Sequence, residues 1–103
     1  MAESKNFFQA WGEEAPETMK AYMALSDSLS SLGGVDAKTW QLLYIAIQAS
    51  RREVGSVVGH TMFAKQAGAT REEVRDAILI SLMATGIGGP NECLVPALEA
   101  YDR

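Results

Sequence analysis

Counting back from His60, the single histidine of this 103-residue chain, Ser56 lies four residues earlier and Glu53 seven. On a helix of about 100° per residue these three share one side with Val57, Phe63, Ala64 and Ala67. The stripe is apolar apart from the three polar groups. An imidazole beside a carboxylate can move a proton at neutral pH, with the carboxylate orienting the ring or raising its pKa. Other readings use the same residues. A Ser-His-Glu hydrolase needs a sharp, exposed nucleophile turn and oxyanion donors, which one straight helix does not usually offer. A metal site finds only His60 and Glu53 as good ligands where stable sites take three or four, so no metal is expected. A core histidine satisfied by Ser56 or a nearby carbonyl remains open. His60, Glu53 and Ser56 are the candidate catalytic residues.

The elements that must hold them read as helices. Long alternation of polar and apolar residues is missing, and the segments between breakers are too long for typical strands. A first helix is expected over about residues 4–11, stopped by Gly12, and a second over 16–31, opened by Pro16 and stopped by Gly33-Gly34. Asp36 is the expected N-cap residue for a third, KTWQLLYIAIQASRR, apolar around most of its circumference. The fourth, over 54–67, carries His60 and ends at Gly68; Thr70 with Glu73 makes a capping box for a fifth, TREEVRDAILISLMATG. A last helix over 90–101 contains Pro96, which should bend or split it. The fold class is therefore all-α, with six or seven helices in one domain spanning 1–103. Gly55 and Gly59 share a different side of the fourth helix, where another helix could approach closely. Helices three to five carry little polar surface for elements packed on one side only, so contacts with further copies of the chain are expected.

Composition narrows the classes. A hydrophobic fraction of 48% against 21% charged residues is that of a folding chain rather than a disordered one. Nine scattered Lys and Arg against thirteen Asp and Glu, a net charge of -4, argue against nucleic acid as a partner. No stretch approaches the ~20 apolar residues of a membrane span, and the N-terminal residues lack the apolar run of a signal peptide, so no membrane partner and a cytoplasmic location are expected. One cysteine, Cys93, excludes an internal disulfide or a CxxC pair, and a lone cysteine is most often a small core residue. Nothing in the chain calls for a cofactor.

The run from Lys38 to Pro90 resembles the core of the carboxymuconolactone decarboxylase and alkylhydroperoxidase D superfamily. The marks are the KT-plus-apolar helix leading to ASRR, the histidine followed by AKQAGATREEV, and the closing GGP. They cover about half the chain in one register. The resemblance implies an alkylhydroperoxidase D-like helical domain assembled as a homotrimer or a homohexamer. The redox branch of the superfamily carries C-x-x-C-x-x-x-H, with a glutamate twelve residues before the first cysteine. With His60 as anchor, the cysteines fall on Glu53 and Ser56 and the glutamate on Gln41, so only the histidine is kept. A disulfide cycle needs a thiolate and a resolving thiol, which a carboxylate and a hydroxyl cannot replace. The decarboxylase branch does without cysteines and implies a small carboxylated lactone as ligand, with His60 near the proton transfer; where that branch has a charged or polar stretch before the histidine, this chain has GSVVG. The superfamily resemblance alone brings Gln41 into the His60 pocket. Arg51 or Arg52 could hold a substrate carboxylate, which makes Gln41 and Arg51 the candidate binding residues. The alternative is a non-catalytic member that binds a small ligand or only holds an oligomer together.

Overall fold

The structure, a computed structural model, describes residues 5–103, and these form six α-helices and no strand. They are α1 (Phe7–Glu14), α2 (Pro16–Ser30), α3 (Ala37–Ser50), α4 (Val54–Gln66), α5 (Arg71–Thr85) and α6 (Gly88–Tyr101). The expected start of the first helix at residue 4 lies outside the described residues. The chain divides into two compact units, one ending at Gly34 and the other running from Val35 to Arg103.

In the first unit, Asn6 and Gln9 cap α1 reciprocally, and Phe7, Phe8, Trp11 and Tyr22 form an aromatic cluster between α1 and α2. Gly12 does not stop α1 as expected. The break comes at Ala15 (φ −146°, ψ 68°), because the ring of Pro16 pushes the preceding residue out of the helical region.

The second unit positions the site. Asp36 accepts the Thr39 N–H at 2.7 Å to start α3, and the Thr70–Glu73 capping box starts α5. The core is built from Ile45 and Ala49 of α3, Val57 and Ala64 of α4, Val74 and Ile78 of α5, and Cys93 and Ala97 of α6. Small residues dominate it, so the helix axes can come close. The expected disruption at Pro96 does not split α6, which stays one helix because Cys93 on one side of the proline and Ala97 and Ala100 on the other are all anchored in the same interior. Pro90 falls in the first turn of α6, where its missing N–H has no partner to lose.

The ASRR and GGP segments meet. A Cβ on Gly89 would stand 2.1 Å from the carbonyl oxygen of Ala49, and one on Gly88 would stand 2.4 Å from the Arg52 guanidinium. The guanidinium is a flexible tip that can move; the Ala49 carbonyl is backbone inside α3 and cannot. Among the described residues, no atom outside the backbone of α4 itself and the neighbouring residues lies within 4 Å of where a Cβ on Gly55 or Gly59 would be, so no other described helix uses the close approach they offer. Gly89→Ala should therefore cost about 3 kcal/mol or abolish folding, while Gly55→Ala should be neutral or stabilise by up to ~1 kcal/mol. Urea denaturation of the two variants checks this, and equal midpoints would contradict it.

Candidate functional site

α3 and α4 form an antiparallel hairpin, and its turn is a closed hydrogen-bonded motif. The Arg52 N–H donates to Ala49 O at 3.0 Å and the Glu53 N–H to Gln48 O at 3.0 Å, the pair of bonds that ends a helix through a left-handed residue. That residue is Arg52, at φ 62°. α4 ends the same way, with Gly68 N–H to Lys65 O at 3.0 Å and Ala69 N–H to Ala64 O at 2.9 Å, but there a glycine takes the left-handed position. The left-handed arginine costs ~1 kcal/mol. Its side chain then reaches α6, where Nε lies 3.4 Å from the Glu92 carboxylate.

The turn sets the register of the facing helices. Gln41, Tyr44 and Gln48 lie at i, i+3 and i+7 on one side of α3 and face Ser56 and His60, one turn apart on α4. The Gln41 amide oxygen is 2.8 Å from His60 Nδ1. With a carbonyl oxygen there, Nδ1 carries the proton and Nε2 keeps its lone pair. The imidazole stacks on the Tyr44 ring, with centroids 3.7 Å apart and planes at 21°, while Trp40 also stacks with Tyr44 at 5.6 Å and Phe63 meets the imidazole edge-on at 5.3 Å. Further toward the turn, Gln48 Nε2 donates to Ser56 Oγ at 3.0 Å and to the Tyr44 hydroxyl at 3.3 Å, and Arg51 Nη1 donates to Gln48 Oε1 at 3.1 Å.

His60 is half-buried, and burial lowers its pKa below the ordinary value of 6.5. Its hydrogen-bonding partner is a neutral amide, so no bonded charge offsets the desolvation of the imidazolium. The imidazole is thus held as a neutral base whose free nitrogen is Nε2.

The expected site residues are partly assembled. Gln41 meets His60 directly, Ser56 bonds to Gln48 rather than to the imidazole, and Arg51 joins through Gln48. Glu53 stands apart from them. Helix α4 begins only at Val54, so Glu53 sits at its non-helical cap position (φ −88°, ψ 76°) with an exposed side chain, and among the described residues no hydrogen bond joins its carboxylate to His60. The orienting role expected of Glu53 is filled by Gln41. Sequence reasoning missed Tyr44 and Gln48. Their signal was the polar spacing Gln41, Tyr44, Gln48 within an otherwise apolar helix, the same three-and-four spacing as Glu53, Ser56 and His60. Among the described residues, no group of three or more His, Cys, Asp and Glu could hold a metal ion, and no helix is long and apolar enough to cross a membrane. A groove of about 290 Å³ between α3 and α5 is lined by Leu42, Leu43, Ala46 and Ile80 among others, on the side of α3 away from the polar row.

The sequence profile of the carboxymuconolactone decarboxylase family matches residues 16–94, a span that contains the whole hairpin and the GGP contact. The chain belongs to the carboxymuconolactone decarboxylase family. A crystal structure of a Burkholderia xenovorans LB400 protein, provisionally named a carboxymuconolactone decarboxylase, superposes with a TM-score of 0.83 at 22% identity, covering 96% of this chain and 77% of that one. At that identity the likeness shows the fold. No curated protein matches the chain at a significant level.

For this family member the depressed His60 pKa has a defined linkage. The unfolded chain binds the imidazole proton more tightly than the folded one, so the contribution of neutral His60 to stability is complete above about pH 6.5 and is lost as pH falls through the folded pKa. Gln41→Glu should reverse the shift, because a carboxylate at Nδ1 stabilises the imidazolium. An NMR titration of His60 in both proteins checks it. The account fails if the wild-type value lies above 6.5 or the variant titrates no higher than wild type.

Proposed function

We propose that this protein is a decarboxylase-type lyase acting on a small carboxylated lactone or a similar metabolite through acid–base chemistry at His60, without thiol peroxidase activity. The observation that carries the reading is the Gln41 bond to His60 Nδ1 at 2.8 Å, which leaves Nε2 as a basic nitrogen on a half-exposed ring. In the reaction, the bond between the ring carbon and its carboxylate breaks and CO2 leaves. The electron pair stays on carbon and spreads into the unsaturated lactone. Nε2, protonated from solvent, delivers the proton that forms the new C–H bond, and water restores the proton. A lowered imidazole pKa suits this step, because the transient imidazolium is the stronger acid.

Thiol chemistry has little support among the residues. Cys93 is buried on α6, and burial first, with Glu92 adding to it, pushes its thiol up from the ordinary value, the opposite of an activated thiolate. The second reading is a non-catalytic, ligand-binding or structural homo-oligomer, and an assembly is compatible with either function. The assembly itself is supported by the exposure of Ile47 (61%), Ile80 (64%), Met83 (85%) and Ile87 (72%), side chains that a second copy would cover. A homotrimer or homohexamer in the cytoplasm is the assembly and location we propose.

His60→Gln should lower the rate of CO2 release from a carboxylated γ-lactone by about 100-fold or more, whereas Cys93→Ser should leave it unchanged. A panel of such lactones with no turnover by wild type, or turnover indifferent to His60, would reject the enzyme reading. Peroxide turnover abolished by Cys93→Ser would reject the absence of peroxidase activity. Ile80→Asp should shift the assembly toward monomer in light scattering; a wild-type protein already monomeric at micromolar concentration would reject the oligomer.

A further inference from the structure

We infer that Tyr44 and Ser56, oriented by Gln48 and joined by Arg51, form a carboxylate-binding site beside His60. The inference deepens the proposed function and rests on it for the direction in which a substrate would lie.

The argument is one of donors and acceptors. A guanidinium only donates, so the atom of Gln48 that faces Arg51 Nη1 at 3.1 Å must be the amide oxygen. That fixes the other end of the amide as the NH2 group. Its two hydrogens go to Ser56 Oγ at 3.0 Å and to the Tyr44 hydroxyl at 3.3 Å. The capacity of Gln48 to donate is then used up, and both hydroxyl oxygens are acceptors toward it. Each hydroxyl keeps its own hydrogen for a different partner, and among the described residues neither donates to any protein acceptor.

Ser56 could have returned its hydrogen to a carbonyl one turn back, as Thr61 does to Val57 at 2.8 Å and Ser81 to Ile78 at 2.6 Å. It does not. Two hydroxyl hydrogens that share one anchoring nitrogen, next to a guanidinium with further N–H groups, make a cluster of donors with no acceptor of its own. An anionic group with two oxygens satisfies it, and a carboxylate has that shape and charge. Arg51 is exposed, so the group can enter from solvent. Because the Tyr44 ring lies on the imidazole at 3.7 Å, an acid held at the hydroxyl places its adjacent carbons against His60.

Gln48→Glu is the discriminating variant. A carboxylate of the same shape still accepts from Arg51, but it turns both hydroxyls inward as donors and adds a negative charge. The experiment follows the His60 and Tyr44 NMR signals while propionate is added, with propionamide as the uncharged control. Wild type should show saturable shifts with propionate alone. Tyr44→Phe and Ser56→Ala should each weaken that binding about tenfold, the value of one hydrogen bond to a charged group, and Gln48→Glu should abolish it with the circular dichroism unchanged. Equal responses to propionate and propionamide, or Gln48→Glu binding like wild type, would overturn the inference. Propionate binding without turnover of any lactone keeps this site and removes the decarboxylase reading. Lactone turnover with a KM unmoved by Tyr44→Phe and Ser56→Ala removes this site and keeps the decarboxylase.

Discussion

The turn from Arg51 to Glu53 is the constraint on which the site depends. Its two backbone bonds, from Arg52 to Ala49 and from Glu53 to Gln48, close α3 and reverse the chain within three residues. A slip of one residue in that reversal would rotate α4 by about 100° against α3 and carry His60 away from Gln41. The register is held from outside as well. Gly89 lets α6 press on the Ala49 carbonyl, the same carbonyl that accepts the Arg52 N–H. The left-handed strain at Arg52 is tolerated because its side chain gains a place over Gly88 and beside Glu92; the exposed ion pair itself contributes little.

Within that register the chemistry is set by neutral partners. A glutamate facing His60 would favour imidazolium, whereas the Gln41 amide fixes the tautomer without charge and lets burial keep the ring neutral. Gln48 acts in the same manner two turns away, where it orders two hydroxyls and a guanidinium through one amide. Both glutamines sit on α3, the more apolar helix of the pair, so the row that orients the site and the face that builds the core belong to one element. Ile45 and Ala49 point into the interior from the side of that helix next to the row.

Much of this was legible in the sequence because the signals were local. The caps at Asp36 and Thr70 and the stops at Gly33 and Gly68 depend on a few neighbouring residues, and they bounded α3, α4 and α5 closely. Pro16 opens α2 as expected, but it also ends α1 by restricting Ala15, which the reading of Gly12 as the stop missed; Pro96 was absorbed by burial on both sides. The pairing of Gln41 with His60 came from the family resemblance, since nothing in a single stripe of α4 names its partner on α3. Tyr44 and Gln48 escaped for the same reason. A helix read as apolar all round conceals three polar positions until the facing helix shows that they form a row. Glu53 was counted on the α4 stripe although the helix was expected to start, and does start, at residue 54; at the cap position its backbone is not helical (φ −88°, ψ 76°) and its side chain is exposed.

The central claim is that Gln41 fixes His60 as the Nδ1-protonated tautomer, leaving the lone pair on Nε2. Long-range proton–nitrogen NMR of the imidazole at pH 7.5 measures this directly. The account predicts an Nδ1 resonance of the protonated type and an Nε2 resonance of the lone-pair type, and predicts that Gln41→Leu erases the difference. An Nε2-protonated imidazole in the wild-type protein would contradict it.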